Sequence, residues 1–163
     1  MKSILILYHS LTGGSEAMAR AAMEGAEQWH GNTPRLLTAS EATPDDLLAA
    51  DGAIFASPEN LASMAGVMKD FFDRAYYPAL GRIEGRPYAT MICAGSDGEG
   101  AARQITRIAT GWRMKPIAEP LIICTHAQTP EEILAPKTIP AEDLARCHDL
   151  GLAMAAGLVM GVF

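Results

Sequence analysis

The sequence predicts an α/β protein: an open, five-stranded parallel sheet with helices on both faces. Three observations carry that expectation. Short apolar runs alternate along the chain with segments of helical periodicity, giving a repeated strand–helix order. The first run, Ile4–Leu7, is continuously apolar, as a parallel strand buried on both faces must be. Turns rich in glycine, serine or proline follow the first, third and fourth runs, where open parallel sheets gather their ligands. With right-handed crossovers, the expected strand order is 2-1-3-4-5.

The elements follow in order. After Ile4–Leu7 the chain turns through Ser10–Ser15 into a helix marked by Met18, Ala22, Gly25 and Trp29 at spacings of three and four. Arg35–Thr38 is the second strand, bounded by Pro34. Thr43-Pro44-Asp45-Asp46 starts a short helix, with a capping threonine, proline at the first position and acids in the first turn. Ala53–Ala56 is the third strand and Pro58–Ser63 a loop. Met64, Val67, Met68, Phe71, Phe72 and Ala75 then share a helix face that stops at Pro78. Pro87–Ala94 is the fourth strand, and Gly95–Gly100 the second glycine-rich turn. Ala101, Ile105, Ile108, Ala109 and Trp112 line a helix ending near Met114. Ile117–Thr125 contains the fifth strand, with Leu121–Cys124 at its heart. Gln128–Pro136 reads as a loop with one helical turn after Pro130, and a last helix starts at Pro140. Without repeats or linkers, residues 1–163 read as one domain.

Composition narrows the functional classes. A net charge of −6, with no basic cluster, argues against nucleic acid as a partner. The apolar stretch Leu150–Phe163 is interrupted by glycines and is shorter than a membrane span, so no membrane insertion is expected. Cys93, Cys124 and Cys147 are odd in number and lack metal-type spacing; they read as reduced thiols of a cytoplasmic protein without a metal site.

The first turn carries the chemistry. Its placement puts Gly14 or Ser15 at a helix N-terminus, where free amides and the helix dipole favour an anion. Gly13 and Gly14 let the backbone approach closely, while Ser10, Thr12 and Ser15 offer hydroxyl donors and Leu11 completes the turn. An ordinary capped strand–helix connection uses the same residue types. The Ser-x-Thr-Gly-x-Ser spacing resembles the phosphate loop of flavodoxin-like flavoproteins, whose ligand is FMN. The second loop resembles one branch of that group more closely. Asp51-Gly52, Ser57-Pro58-Glu59-Asn60-Leu61-Ala62 and Lys69-Asp70-Phe71-Phe72-Asp73-Arg74 are similar to the NAD(P)H-dependent FMN reductases and quinone reductases.

The resemblance implies a flavodoxin-like three-layer sandwich and a flavin bordered by Pro58, Glu59, Asn60, Leu61 and Ala62. The third loop, Gly95-Ser96-Asp97-Gly98, would meet the pyrimidine edge. Lys69, Asp73 and Arg74 read instead as solvated helix pairs. Neither the second nor the third loop supplies an aromatic side chain to stack on the ring. An open ring face leaves room for a transient co-substrate, NAD(P)H, and for a small-molecule electron acceptor such as a quinone or free flavin. No protein acid or base is needed for that exchange, and none is assigned as catalytic. Related reductases are often dimers or tetramers, so the resemblance implies a homodimer or homotetramer with Phe72, Tyr76 and Tyr77 as its apolar surface; the alternative is that these aromatics finish the core.

Two other readings stay open. A flavodoxin-type electron-transfer module would use the same cofactor with a protein partner. A serine hydrolase would use Ser96, since Ala94-Gly95-Ser96-Asp97-Gly98 imitates a nucleophile elbow, with His126 or His148 downstream.

Overall fold

A computed structural model describes all residues, 1–163. In chain order the elements are β1 (Lys2–Tyr8), α1 (Gly14–Glu27), β2 (Asn32–Thr38), α2 (Pro44–Ala49), β3 (Gly52–Asn60), β4 (Ser63–Met64) and α3 (Gly66–Ala79). There follow β5 (Pro87–Ala94), α4 (Glu99–Gly111), β6 (Lys115–Pro116), β7 (Leu121–Cys124), α5 (Pro130–Leu134) and α6 (Ala141–Met160).

The sheet runs β2-β1-β3-β5-β6, with β7 also on β5 and β4 antiparallel to the end of β3. β6 and β7 are two pieces of one edge strand. Pro87 pairs with Lys115 but Met91 with Leu121, so two extra residues bulge out between them. Counted so, the five parallel positions follow the expected 2-1-3-4-5 order, and the fold is flavodoxin-like.

Alternation along the strands sorts the core into two layers. Ile4, Ile6, Ile54, Met91 and Cys93 face α1 and α6. Leu5, Leu7, Phe55, Tyr88 and Ile92 face α2, α3 and α4. The second layer holds the aromatics: Phe55 meets Phe72 edge-on at 5.2 Å, and Tyr76 stacks on Trp112 at 5.6 Å. Phe72 and Tyr76 therefore complete the core, and only Tyr77 of the expected apolar surface stands exposed.

Several boundaries differ from the sequence reading, each for a physical reason. Pro34 lies inside β2, which tolerates it because β2 is the sheet's edge. β3 continues past Pro58 to Asn60, and Met64 belongs to β4, so α3 begins only at Gly66. Pro78 sits in the last turn of α3 and does not end it. Lys69 pairs with Asp73, and Arg74 with Asp70, at helical spacing. Arg74 also donates to the carbonyls of Ala39 and Ala42, tying α3 to the turn after β2. No helix is long and apolar enough to cross a membrane.

Candidate functional site

The ends of β1, β3 and β5 lie side by side, so the three predicted loops share one rim of the sheet. The first loop is built around Gly13, the N-cap of α1, at φ 98°. That left-handed geometry suits glycine, and it aims the following amides away from the helix. The Gly13 amide donates to Ser10 Oγ at 3.0 Å, and the Ala17 amide closes the first helical turn on the Gly13 carbonyl. The amides of Leu11, Thr12, Gly14, Ser15 and Glu16 have no protein acceptor. Ser15 is only 2% exposed, yet its hydroxyl has no hydrogen-bond partner. A buried hydroxyl left unpaired costs about 1–3 kcal/mol. No lysine or arginine side chain hydrogen-bonds the loop: Arg20 is committed to Glu16, and Lys137 Nζ to carbonyls of residues 132–135.

A cavity of about 70 Å³ opens on this turn, lined by Ser10, Leu11, Thr12, Gly14 and Ser15 together with Pro58 and Asn60 of the second loop. Ile133 and Leu134 of α5 close its outer side, and Cys93 its floor. Burial pushes the Cys93 thiol up to about 11, so it stays protonated beside the cavity. His9, just before the turn, is half-buried; desolvation lowers its pKa and favours the neutral ring.

The second loop is a β-hairpin. Glu59 pairs with Met64 and Asn60 with Ser63 across a two-residue tip, Leu61-Ala62. Both tip residues have positive φ, 52° and 65°, as in the turn that tight hairpins prefer but that asparagine and glycine usually fill. A left-handed non-glycine residue costs about 1–2 kcal/mol, and such strain gathers at ligand clamps. Leu61 is fully exposed at the tip, while Leu11, Ile133 and Leu134 are exposed beside the cavity.

Glu59 does not face the cavity. It reaches across to the third loop, where Oε1 accepts from the Gly98 amide at 2.8 Å and Oε2 from the Ala101 amide at 3.2 Å. Gly98 is the N-cap of α4, at φ 89°. Asp97 Oδ1 accepts weakly from the Glu99 amide at 3.3 Å, and Ser96 is exposed. No histidine hydrogen-bonds the Ser96 hydroxyl, so the nucleophile-elbow reading finds no general base there. Gly95 to Gly98 border the rim without lining the first-loop cavity. A larger groove of about 540 Å³ runs between β5, α4 and residues 116–120; Glu99 of the Gly95–Gly100 turn lines it, but none of the residues expected to bind the cofactor does.

Sequence reasoning missed Cys93, Ile133 and Leu134 as part of the site. A signal existed for the last two. Thr129-Pro130-Glu131-Glu132 repeats the helix-start pattern of Thr43-Pro44-Asp45-Asp46, and an apolar pair follows it in a polar stretch.

A family model described as NADPH-dependent FMN reductase matches residues 39–129, more than half the chain. The chain belongs to that family. The matched span contains the second and third loops, and the turn at residues 10–15 precedes it. Among curated relatives, a flavodoxin from Aquifex aeolicus is 35% identical over 100 residues, covering 61% of this chain and 54% of the relative. An NAD(P)H dehydrogenase (quinone) from Acidithiobacillus ferrooxidans is 32% identical over 131 residues, covering 68% and 66%. The chain thus spans between about half and two thirds of the length of these two relatives. An archaeal flavodoxin shares the fold at TM-score 0.77 and 19% identity, over 96% of this chain and 98% of that one. The FMN reductase family assignment agrees with the donor set at the first turn. Unpaired amides and a buried hydroxyl at a helix N-terminus are what a phosphomonoester accepts from.

Proposed function

We propose that this FMN reductase family member binds FMN at the rim and moves electrons from NAD(P)H to a small acceptor, a quinone or free flavin. The observation that carries the reading is the Ser15 hydroxyl, buried and unpartnered beside free amides at the start of α1. FMN, when bound, supplies the chemistry: a hydride accepted from NAD(P)H and an electron pair returned, with protons, to the acceptor.

The chain's own groups bind and orient. The amides of Leu11, Thr12, Gly14, Ser15 and Glu16 and the hydroxyls of Thr12 and Ser15 hold the phosphate, with the positive end of the α1 dipole behind them. Pro58 and Asn60 of the hairpin and the Gly95–Gly98 turn frame the ring. Ile133 and Leu134 shield the phosphate side from water. No residue is asked to donate or accept a proton, and the neutral His9 ring fits that account.

The test is anaerobic mixing of FMN-loaded protein with NADPH or NADH. Loss of the yellow absorbance with either is the expected result, and persistence of the colour with both would exclude the reductase reading. A second reading, a one-electron carrier, draws on the flavodoxin relative. Reductive titration separates the two, since a carrier accumulates a stable one-electron stage on the way to full reduction and a reductase takes electrons in pairs.

A further inference from the structure

We propose that Glu59 and Gln104 are positioning residues that weld the hairpin to the start of α4, making the second and third loops one frame whose shape sets flavin affinity. The proposal rests on the reading of those loops as the flavin's border. It adds two side chains to that border, neither of which needs to touch the ligand.

The observations come from both partners of the weld. Glu59 leaves the hairpin and bonds the Gly98 and Ala101 amides, two of the donors that a helix start leaves unpaired. Gln104 leaves α4 in the opposite direction. Its Oε1 accepts from the Met64 amide at 2.8 Å and from the Ser63 hydroxyl at 3.0 Å. Between them, Gly100 lets the hairpin tip settle onto the helix. A Cβ at that position would stand 2.1 Å from the Ala62 carbonyl oxygen. Four protein–protein hydrogen bonds and one close approach therefore hold a two-residue tip whose backbone is strained at both positions. A tip of Leu61 and Ala62 would not choose that turn unaided. The contacts to α4 impose it.

The carboxylate has a further consequence. With Glu59 seated there, the positive end of α4 is already matched by a negative group of the same chain. Of the two glycine-capped helix starts on the rim, α4 has its Gly98 and Ala101 amides taken by a carboxylate of the same chain, whereas no carboxylate meets the Gly14, Ser15 and Glu16 amides of α1.

The experiment compares wild type with Glu59→Ala, Glu59→Gln and Gln104→Ala. Amide hydrogen exchange is read on protein free of flavin, and FMN affinity by calorimetry. Glu59→Ala should speed exchange at Gly98 and Ala101 and weaken FMN about tenfold, the scale of losing charge-assisted bonds. Glu59→Gln keeps one carbonyl acceptor and should fall between wild type and alanine in both readouts; it also serves if the alanine variant does not fold. Gln104→Ala should speed exchange at Met64 alone and weaken FMN less, by about threefold, as for a neutral bond. Unchanged exchange in the Glu59 variants would overturn the weld. Faster exchange with unchanged FMN affinity would overturn its role in binding. Wild-type protein that takes up no FMN would remove the flavin reading and the affinity role together, while the exchange data would still decide whether the weld exists.

Discussion

The rim carries two junctions built alike and used differently. At both, a strand ends, a left-handed glycine caps a helix, and the first amides of that helix point at the rim: Gly13 before α1 and Gly98 before α4. At α4 the Glu59 carboxylate fills the position and two amides are satisfied from within the chain. At α1 five amides and the Ser15 hydroxyl find no protein partner. The α4 junction thus shows what this geometry accepts, an anionic oxygen, and the α1 junction offers the same arrangement to a ligand. A helix start alone would not distinguish a cap from a binding site. The buried, unpaired hydroxyl does.

The difference can be broken by making the α1 junction resemble its neighbour. Thr12→Asp places a carboxylate beside the free amides, as Glu59 does at α4. FMN affinity measured by calorimetry should fall about a hundredfold or more, with unfolding stability raised by about 1 kcal/mol through capping. A variant that binds FMN normally would show that the two junctions are not equivalent.

Ser15→Ala sharpens the same point from the other side. Removing a buried hydroxyl that no protein group satisfies should leave stability unchanged or raise it by about 0.5–1 kcal/mol in denaturant unfolding. The same variant should weaken FMN about tenfold. If the hydroxyl were only structural, stability would drop and affinity would not.

The hairpin that delivers Glu59 gives a smaller effect. Replacing Leu61 and Ala62 together, Leu61→Asn with Ala62→Gly, supplies the residues this turn prefers and should raise stability by about 1 kcal/mol. Thermal unfolding of flavin-free protein checks it, and an unchanged midpoint would mean the tip is not strained.

Cys93 lines the α1 cavity one residue before β5 ends, and Cys147 lies buried behind it on α6. Burial raises the two thiols from an ordinary value near 9 to about 11 and about 12. The folded chain therefore holds protons that the unfolded chain has lost. Stability from these groups is complete below pH 9 and falls as pH rises from 9 through 11 to 12. Cys93→Ala should flatten the lower part of that fall in pH-dependent denaturant unfolding.

Much of this was readable from residue order. Short apolar runs located all five parallel positions, the fifth through Leu121–Cys124, and crossover handedness fixed their order. Only the β6 piece of the edge strand was missed, because Lys115 and Pro116 are too few for any periodicity to register. The hairpin was hidden because Leu61-Ala62 carries no turn chemistry; its geometry comes from α4, 40 residues onward. Glu59 could be placed in a border loop by resemblance, but its partners lie 39 and 42 residues away, a pairing that only the folded sheet creates. Ser15 was recognisable as a candidate donor. That no protein group pairs with it was not, since burial and partners are properties of the packed chain.

The central claim is that the start of α1 is a phosphate site. Calorimetry with FMN and riboflavin, identical but for the phosphate, tests it directly. FMN should bind about a hundredfold more tightly or better, as several charge-assisted bonds require. Equal affinity for the two, or no binding of either, would contradict the account.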